Sequence, residues 1–143
     1  MYKIAVVDDS EAWCLAIAYL LHRPGYAVAT FTNAHAFLED AKHFDLALID
    51  FSMPSRSYQK EIDGCELIHL IKKSIKTPPV LVLISAFFTK QVLPQVVEFC
   101  PEADAHLDKN MSAEELLNQV QHLLTGRKAS FPHSFSRPSK FQQ

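Results

Sequence analysis

Short β-branched apolar runs alternate along this chain with longer amphipathic stretches. Lys3–Val7, Ala27–Phe31, Leu46–Ile49 ending at Asp50, Val80–Ser85 and Ala105–Asp108 each read as a strand. Helix signals fill the intervals. Ser10 caps a helix to about His22, in which Ala12, Leu15, Ala16, Tyr19 and Leu20 recur at helical spacing as an inward face would. Arg23-Pro24-Gly25-Tyr26 ends it, and Asn33 caps a short helix to about Lys42. A polar segment, Phe51–Ile62, precedes a helix over roughly Gly64–Lys73, which Thr77-Pro78-Pro79 stops. The stretch Thr89–Phe99 reads as a helix with Pro94 inside it, where a backbone donor is missing. Ser112 and Glu115 stand in capping-box spacing and open a last helix to about Leu124.

Five βα units in succession predict an α/β fold, a parallel sheet with helices on both faces. Right-handed crossovers favour a flavodoxin-like, doubly wound, five-stranded sheet of order 2-1-3-4-5, which takes its ligands at the carboxyl ends of the strands.

Composition narrows the setting. With 143 residues, 48% hydrophobic and 21% charged, the chain suits one domain, residues 1–125, followed by a basic Ser/Phe/Pro-containing tail at 126–143 expected to be disordered or to bind a partner. Four of the fourteen bases (Arg127, Lys128, Arg137 and Lys140) fall in that tail and no acids do, so the body has ten bases against sixteen acids, a net of −6. An acidic body argues against an electrostatic nucleic-acid surface. No apolar run approaches the roughly 20 residues that span a bilayer, and the N-terminus turns acidic too early for a signal peptide. Cys14, Cys65 and Cys100 show no metal-ligand spacing and read as three free thiols in a reducing, cytoplasmic setting. His22, His35, His43, His69 and His122 are scattered and read as solvated, and Trp13 as core or near-site packing.

The candidate chemistry lies at the strand ends. The first strand ends in Asp8-Asp9, the third in Asp50, the fourth in Ser85 and the fifth in Asp108-Lys109. Adjacent carboxylates repel and are best tolerated around a cation, and hard oxygen donors with room for water favour Mg²⁺ over zinc.

These residues carry a resemblance. Val6-Val7-Asp8-Asp9, Leu48-Ile49-Asp50-Phe51-Ser52-Met53-Pro54, Leu83-Ile84-Ser85-Ala86 and Leu107-Asp108-Lys109 resemble, in order and spacing over about residues 3–124, the signature blocks of response-regulator receiver domains of two-component phosphorelays, with Gly64 a further supporting match. The resemblance implies that Asp50 is phosphorylated by a histidine kinase or a histidine phosphotransfer protein. It implies Mg²⁺ held by Asp9, Asp50 and the Ser52 carbonyl, with Asp8 acting through water. Lys109 and the Ser85 hydroxyl would contact the phosphoryl oxygens, and Ser85 and His106 would act as the switch that alters the face of the fourth helix, fifth strand and fifth helix toward a downstream effector. No membrane or direct nucleic-acid partner is implied, and no enzyme activity beyond phosphoacceptance and slow autodephosphorylation.

The sequence departs from the family in places. The loop 55–63 is several residues longer than usual, either a kinase contact or a surface insertion. Asn110 replaces the usual proline after a cis bond; a cis non-proline bond costs about 3–4 kcal/mol, which leaves cis and trans both open. His106 stands where the family has an aromatic. Ser52 and Phe87 occupy positions that tune hydrolysis in relatives, Phe87 as a screen against water. Two alternatives stand beside the switch: a degenerate receiver that binds partners without phosphorylation, and a Mg²⁺-dependent phosphatase with an aspartyl nucleophile. The latter class has a second Asp two residues on, where this chain has Ser52.

Overall fold

A computed structural model of the chain describes residues 1–52 and 62–126. Met53-Pro54, most of the long loop after them and the tail beyond Gly126 lie outside the described residues. The order of elements is β1 (Lys3–Val7), α1 (Glu11–His22), β2 (Ala27–Phe31), α2 (Ala34–Asp40), a 3₁₀ turn (Ala41–His43), β3 (Leu46–Asp50), α3 (Gly64–Ser74), β4 (Val80–Ser85), α4 (Leu93–Phe99), β5 (Ala105–Asp108) and α5 (Ala113–Thr125). All five strands are parallel in the order β2-β1-β3-β4-β5. This is the doubly wound sheet expected from the alternation.

Strands β1, β3 and β4 are legible because their side chains are buried on both faces, so each is a run of apolar residues rather than an alternation. Every residue of β3 and β4 is buried. Ala5, Val7, Ala47, Ile49, Leu81 and Leu83 point to one core, closed by Phe37, Leu67, Ile68, Ile71 and Leu93 from α2, α3 and α4. Ile4, Val6, Leu46, Leu48, Val82 and Ile84 point to the other, closed by Cys14, Leu20 and Leu21 of α1 and Leu116, Val120, Leu123 and Leu124 of α5. Ser10, Asn33, Asp63 and Ser112 cap α1, α2, α3 and α5 through side-chain oxygens that accept backbone N–H groups.

Three expectations need correction. First, of the α1 residues expected inward from their helical spacing only Leu20 is buried, with Cys14 and Leu21 beside it and Trp13 and Ile17 partly covered, whereas Ala12, Leu15, Ala16 and Tyr19 face solvent, Leu15 at 68% and Tyr19 at 78% exposure. Both stripes have helical spacing, and the sheet takes the one that carries Cys14. Second, α4 begins at Leu93 rather than Thr89. Pro94 then lies in the first turn, where its missing N–H leaves no intrahelical bond unmade, and Thr89–Val92 form a turn closed by the N–H groups of Val92 and Leu93 on the Thr89 carbonyl. Third, the thiols are not all free. Cys65 and Cys100 are joined as a disulfide across a Cα–Cα distance of 6.0 Å, and Cys14 alone remains a thiol.

The start of α3 is set against the end of β3. The Gly64 N–H donates to the Phe51 carbonyl at 2.8 Å, and a Cβ at position 64 would lie 2.5 Å from the Asp50 carbonyl oxygen and 2.8 Å from Leu83 Cδ1. Only a residue without a side chain permits that approach. Gly64→Ala is therefore expected to destabilise the fold by about 1–3 kcal/mol through backbone displacement. Urea denaturation of the two proteins checks this, and an unchanged midpoint would mean that the close approach is not constrained.

Candidate functional site

The parallel order brings the carboxyl ends of β1, β3, β4 and β5 to one edge, and the polar residues singled out in the sequence meet there. One ligand oxygen each from Asp8, Asp9 and Asp50 lies within 4.8 Å of the others. Asp8 is 1% exposed and Asp50 6%, while Asp9 faces solvent. Asp8 is fixed by its neighbours: its N–H donates to the Phe31 carbonyl at 2.9 Å, and Oδ1 accepts the Ser10 N–H at 2.8 Å. The Cys14 thiol donates to the Asp8 carbonyl at 3.3 Å, and burial, then the Asp8 charge, pushes that thiol up to about 11, so it stays protonated.

Lys109 reaches in from the end of β5. Its Nζ donates to Asp8 Oδ2 at 2.5 Å, lies 3.6 Å from Asp50 Oδ1, and sits over the Trp13 ring at 4.4 Å from the centroid. Trp13 is thus a packing residue of the site itself, and its electron-rich face holds the ammonium in place. The Lys109 N–H donates to the Ser85 carbonyl at 3.0 Å, which anchors the backbone from which the side chain extends. The Lys109–Asn110 bond is trans, as no peptide bond among the described residues is cis. Asn110 is held by its N–H on Asp108 Oδ1 at 2.8 Å and by its amide on the Ala86 carbonyl at 3.2 Å.

Asp50 is the unusual acid. Burial, then the charge of Asp8, raises its carboxyl to about 6 against the opposing pull of Lys109. Asp9 is raised too, by burial first and Asp8 second. Three carboxylates sharing one ammonium leave excess negative charge at the strand ends, so the donor set fits a hard divalent cation.

The remaining residues fall around this group. The Ser85 hydroxyl is buried and accepts the Phe87 N–H at 3.1 Å, which leaves its own proton free to be donated elsewhere. Ser52 is exposed beside Phe51. Phe87 is 78% exposed and stands in solvent rather than packed over Asp50, which gives the water-screening reading no support. His106 is fully buried on the α3–α4 side of the sheet, beside Leu83. Its Nε2–H donates to the Cys100 carbonyl at 2.7 Å, a bond that in this geometry requires the proton on Nε2. His106 also borders a groove of about 340 Å³ between α4, β5 and α5, lined with Lys90, Leu93, Met111 and Glu115. Sequence reasoning missed the Lys109–Trp13 stack and the Cys65–Cys100 bond, both of which depend on tertiary placement.

The family model of the response regulator receiver domain matches residues 4–121. The chain belongs to that family. This receiver domain is similar to NisR, the nisin biosynthesis regulatory protein of Lactococcus lactis, at 28% identity over 85% of this chain and 49% of NisR. A Pseudomonas aeruginosa protein named as a transcriptional regulator is 33% identical over 88% of this chain and 58% of its own length. The chain thus spans about half the length of the curated relatives it matches. Among solved structures, the response regulator TrrA of Thermotoga maritima, in complex with Mg²⁺ and beryllofluoride, matches with a TM-score of 0.70 and 26% identity, covering 86% of this chain and 99% of that one.

The raised carboxyl of Asp50 has a consequence for stability. A folded-state value above the ordinary one means that the native state holds the proton more tightly than the unfolded chain, so the charge works against folding as the pH rises from about 4 to about 6 and fully above that. Asp50→Asn is expected to be more stable than wild type by about 1–3 kcal/mol at pH 7 in metal-free buffer, with the difference shrinking toward zero below pH 4. Paired denaturation curves at several pH values check this; a variant less stable at pH 7 would show that the Lys109 contact outweighs the burial.

Proposed function

We propose that this receiver domain is a phosphorylation-driven signalling switch, with Asp50 as the phosphoacceptor. The observation that carries the reading is the position of Asp50: a buried, raised carboxyl at the end of β3, with the Asp8 and Asp9 carboxylates beside it and the Lys109 ammonium 3.6 Å away. Phosphoryl transfer needs mainly positioning and neutralisation of charge on the equatorial oxygens. Asp50 attacks as the carboxylate: an Asp50 oxygen forms a bond to phosphorus as the bond to the donor's histidine nitrogen breaks. Lys109 already lies between Asp8 and Asp50, so a small movement toward the phosphoryl group suffices for it to pair with an oxygen there. The Ser85 hydroxyl has a proton to donate to another.

Asp9, Asp50 and the Ser52 carbonyl would hold Mg²⁺, with Asp8 in support. When bound, the ion supplies charge neutralisation and keeps Asp50 ionised near neutral pH. A histidine kinase or phosphotransfer protein is the donor and an effector protein the reader, acting at the face made by α4, β5 and α5. His106, bridging β5 to the end of α4, is placed to pass the change between them. A cytoplasmic setting belongs to this reading because it fits response regulators; among the described residues no helix is long and apolar enough to cross a membrane. No part of the switch is assigned to residues 126–143, and the protein acts as a switch rather than as an enzyme turning over a substrate.

Incubation with acetyl phosphate and Mg²⁺ should add one phosphoryl group, about 80 Da by intact mass, to the wild-type chain. Asp50→Asn should gain none, and Asp9→Ala should lose most of the uptake while Asp8→Ala loses less. Full modification of Asp50→Asn would place the acceptor elsewhere. Because Lys109 stacks on Trp13, Mg²⁺ titration should also change the fluorescence of this single tryptophan; a flat titration in a protein that still takes up phosphate would uncouple Trp13 from the site.

A further inference from the structure

The mechanism above makes no use of the cysteines, yet two of them join parts of the fold that the switch would have to move against each other. Cys65 lies in the first turn of α3, next to Gly64, whose backbone is fastened to Phe51 beside the phosphoacceptor strand. Cys100 is the residue that ends α4, and its carbonyl is the acceptor for the His106 imidazole. The disulfide closes 35 residues of chain and ties the end of α4 to the helix packed against the site.

Apart from this bond, apolar packing holds α4. It has seven residues, no side-chain N-cap, and buries Leu93 and Val97. The loop that follows it is linked to α3 by His69–Glu102 at 2.8 Å and Lys72–Asp104 at 3.1 Å. The first pair is largely exposed, and exposed pairs contribute little. The covalent bond therefore ties α3 to the end of α4 more firmly than the exposed pair does.

The two sulfurs differ in access. Cys65 is half-buried and Cys100 is fully buried, while Cys14 lies in the opposite core with its thiol committed to the Asp8 carbonyl. Within a reducing compartment, protein disulfides are transient and usually redox-sensing or catalytic.

We propose that Cys65 and Cys100 form a redox-modification site, opened and closed by thiol–disulfide exchange, that sets how freely α4 and the His106 end of β5 can move. For closure, the Cys65 thiolate attacks a sulfur of a low-molecular-weight disulfide such as oxidised glutathione and expels one thiol. The Cys100 thiolate then attacks the Cys65 sulfur of the mixed disulfide and expels the second. Two thiol protons and two electrons leave the protein, and one reagent disulfide becomes two thiols. A dithiol reverses the sequence. The oxidised form holds α4 against α3; the reduced form releases it. That this governs signalling rests on the switch reading above, but the restraint itself does not.

The test uses the full chain without any phosphoryl donor, so that its outcome is separate from phosphoacceptance by Asp50. The protein is equilibrated in reduced and in oxidised glutathione, quenched with acid, alkylated and mapped by mass spectrometry. Hydrogen exchange is then followed in both forms. Oxidised glutathione should give the Cys65–Cys100 cross-link with Cys14 alkylated, and reduced glutathione should give three alkylated cysteines. Amides of Leu93–Cys100 and the following loop to His106 should exchange about tenfold faster in the reduced protein. Cys65→Ser should match the reduced protein in either buffer, and reduction of wild type by a phosphine gives the same comparison without a substitution. Failure of the cross-link to form, a cross-link through Cys14, or equal exchange in both forms would each overturn the proposal. Failure of Asp50 to take up a phosphoryl group from acetyl phosphate, with the exchange difference intact, would instead count against the switch reading alone.

Discussion

Three carboxylates gathered within 4.8 Å at the ends of β1 and β3 cannot all be comfortable, and Lys109 contacts two of them, Asp8 and Asp50. Much of the local structure follows from that imbalance. The lysine is steadied by the Trp13 ring and by its own N–H on Ser85, Asp8 by the Ser10 N–H, and α3 is brought close enough to Asp50 that only glycine fits at position 64. Burial stops water from screening the group, so Asp50 holds its proton to about pH 6 and the site keeps an appetite for positive charge. A phosphoacceptor that works with a divalent cation needs such a site: stable enough to fold empty, and improved when a cation enters.

The fold was legible in the sequence because β1, β3 and β4 are covered on both sides, and a strand of that kind announces itself as an unbroken apolar run. The site was legible because the strand-end rule turns the residue after each run into a neighbour of the others. Asp8, Asp9, Asp50, Ser85 and Lys109 meet as that rule requires. What could not be read was orientation. Helix α1 carries two apolar stripes, and periodicity does not say which one the sheet covers. Tyr19 and Leu15 are at least as large as any residue on the other stripe but Trp13, yet Cys14 and Leu21 are the ones buried. The pairing of Cys65 with Cys100 was hidden for a related reason: 35 residues separate them, and only the packing of α3 beside the end of α4 brings their Cα atoms to 6.0 Å. Pro94 misled by one turn, since a proline within a helical pattern and one at its start look alike until the first hydrogen bond is located.

Membership in the receiver family fixes the architecture and the signalling setting, and a span of about half the curated relatives leaves the output of a longer protein open to proposal. Within the described residues, the face of α4, β5 and α5 has two distinctive features: a groove bordered by His106 and Met111, and a seven-residue helix without a side-chain N-cap. His106 connects them through its hydrogen bond to the Cys100 carbonyl.

The pair formed by Lys109 and Asp8 spans 101 residues of sequence. A contact of that kind cannot form early. Loop-closure entropy must be met before it contributes anything, and the strands between must already lie in order, because β5 joins the sheet only through β4, β4 through β3 and β3 through β1. Until the last strand docks, the acids at the ends of β1 and β3 have mutual repulsion and no lysine to oppose it. Chemical competence and completion of the chain's topology therefore arrive together: a partly folded receiver, or one still emerging from synthesis, would have the aspartate but not the charge balance around it.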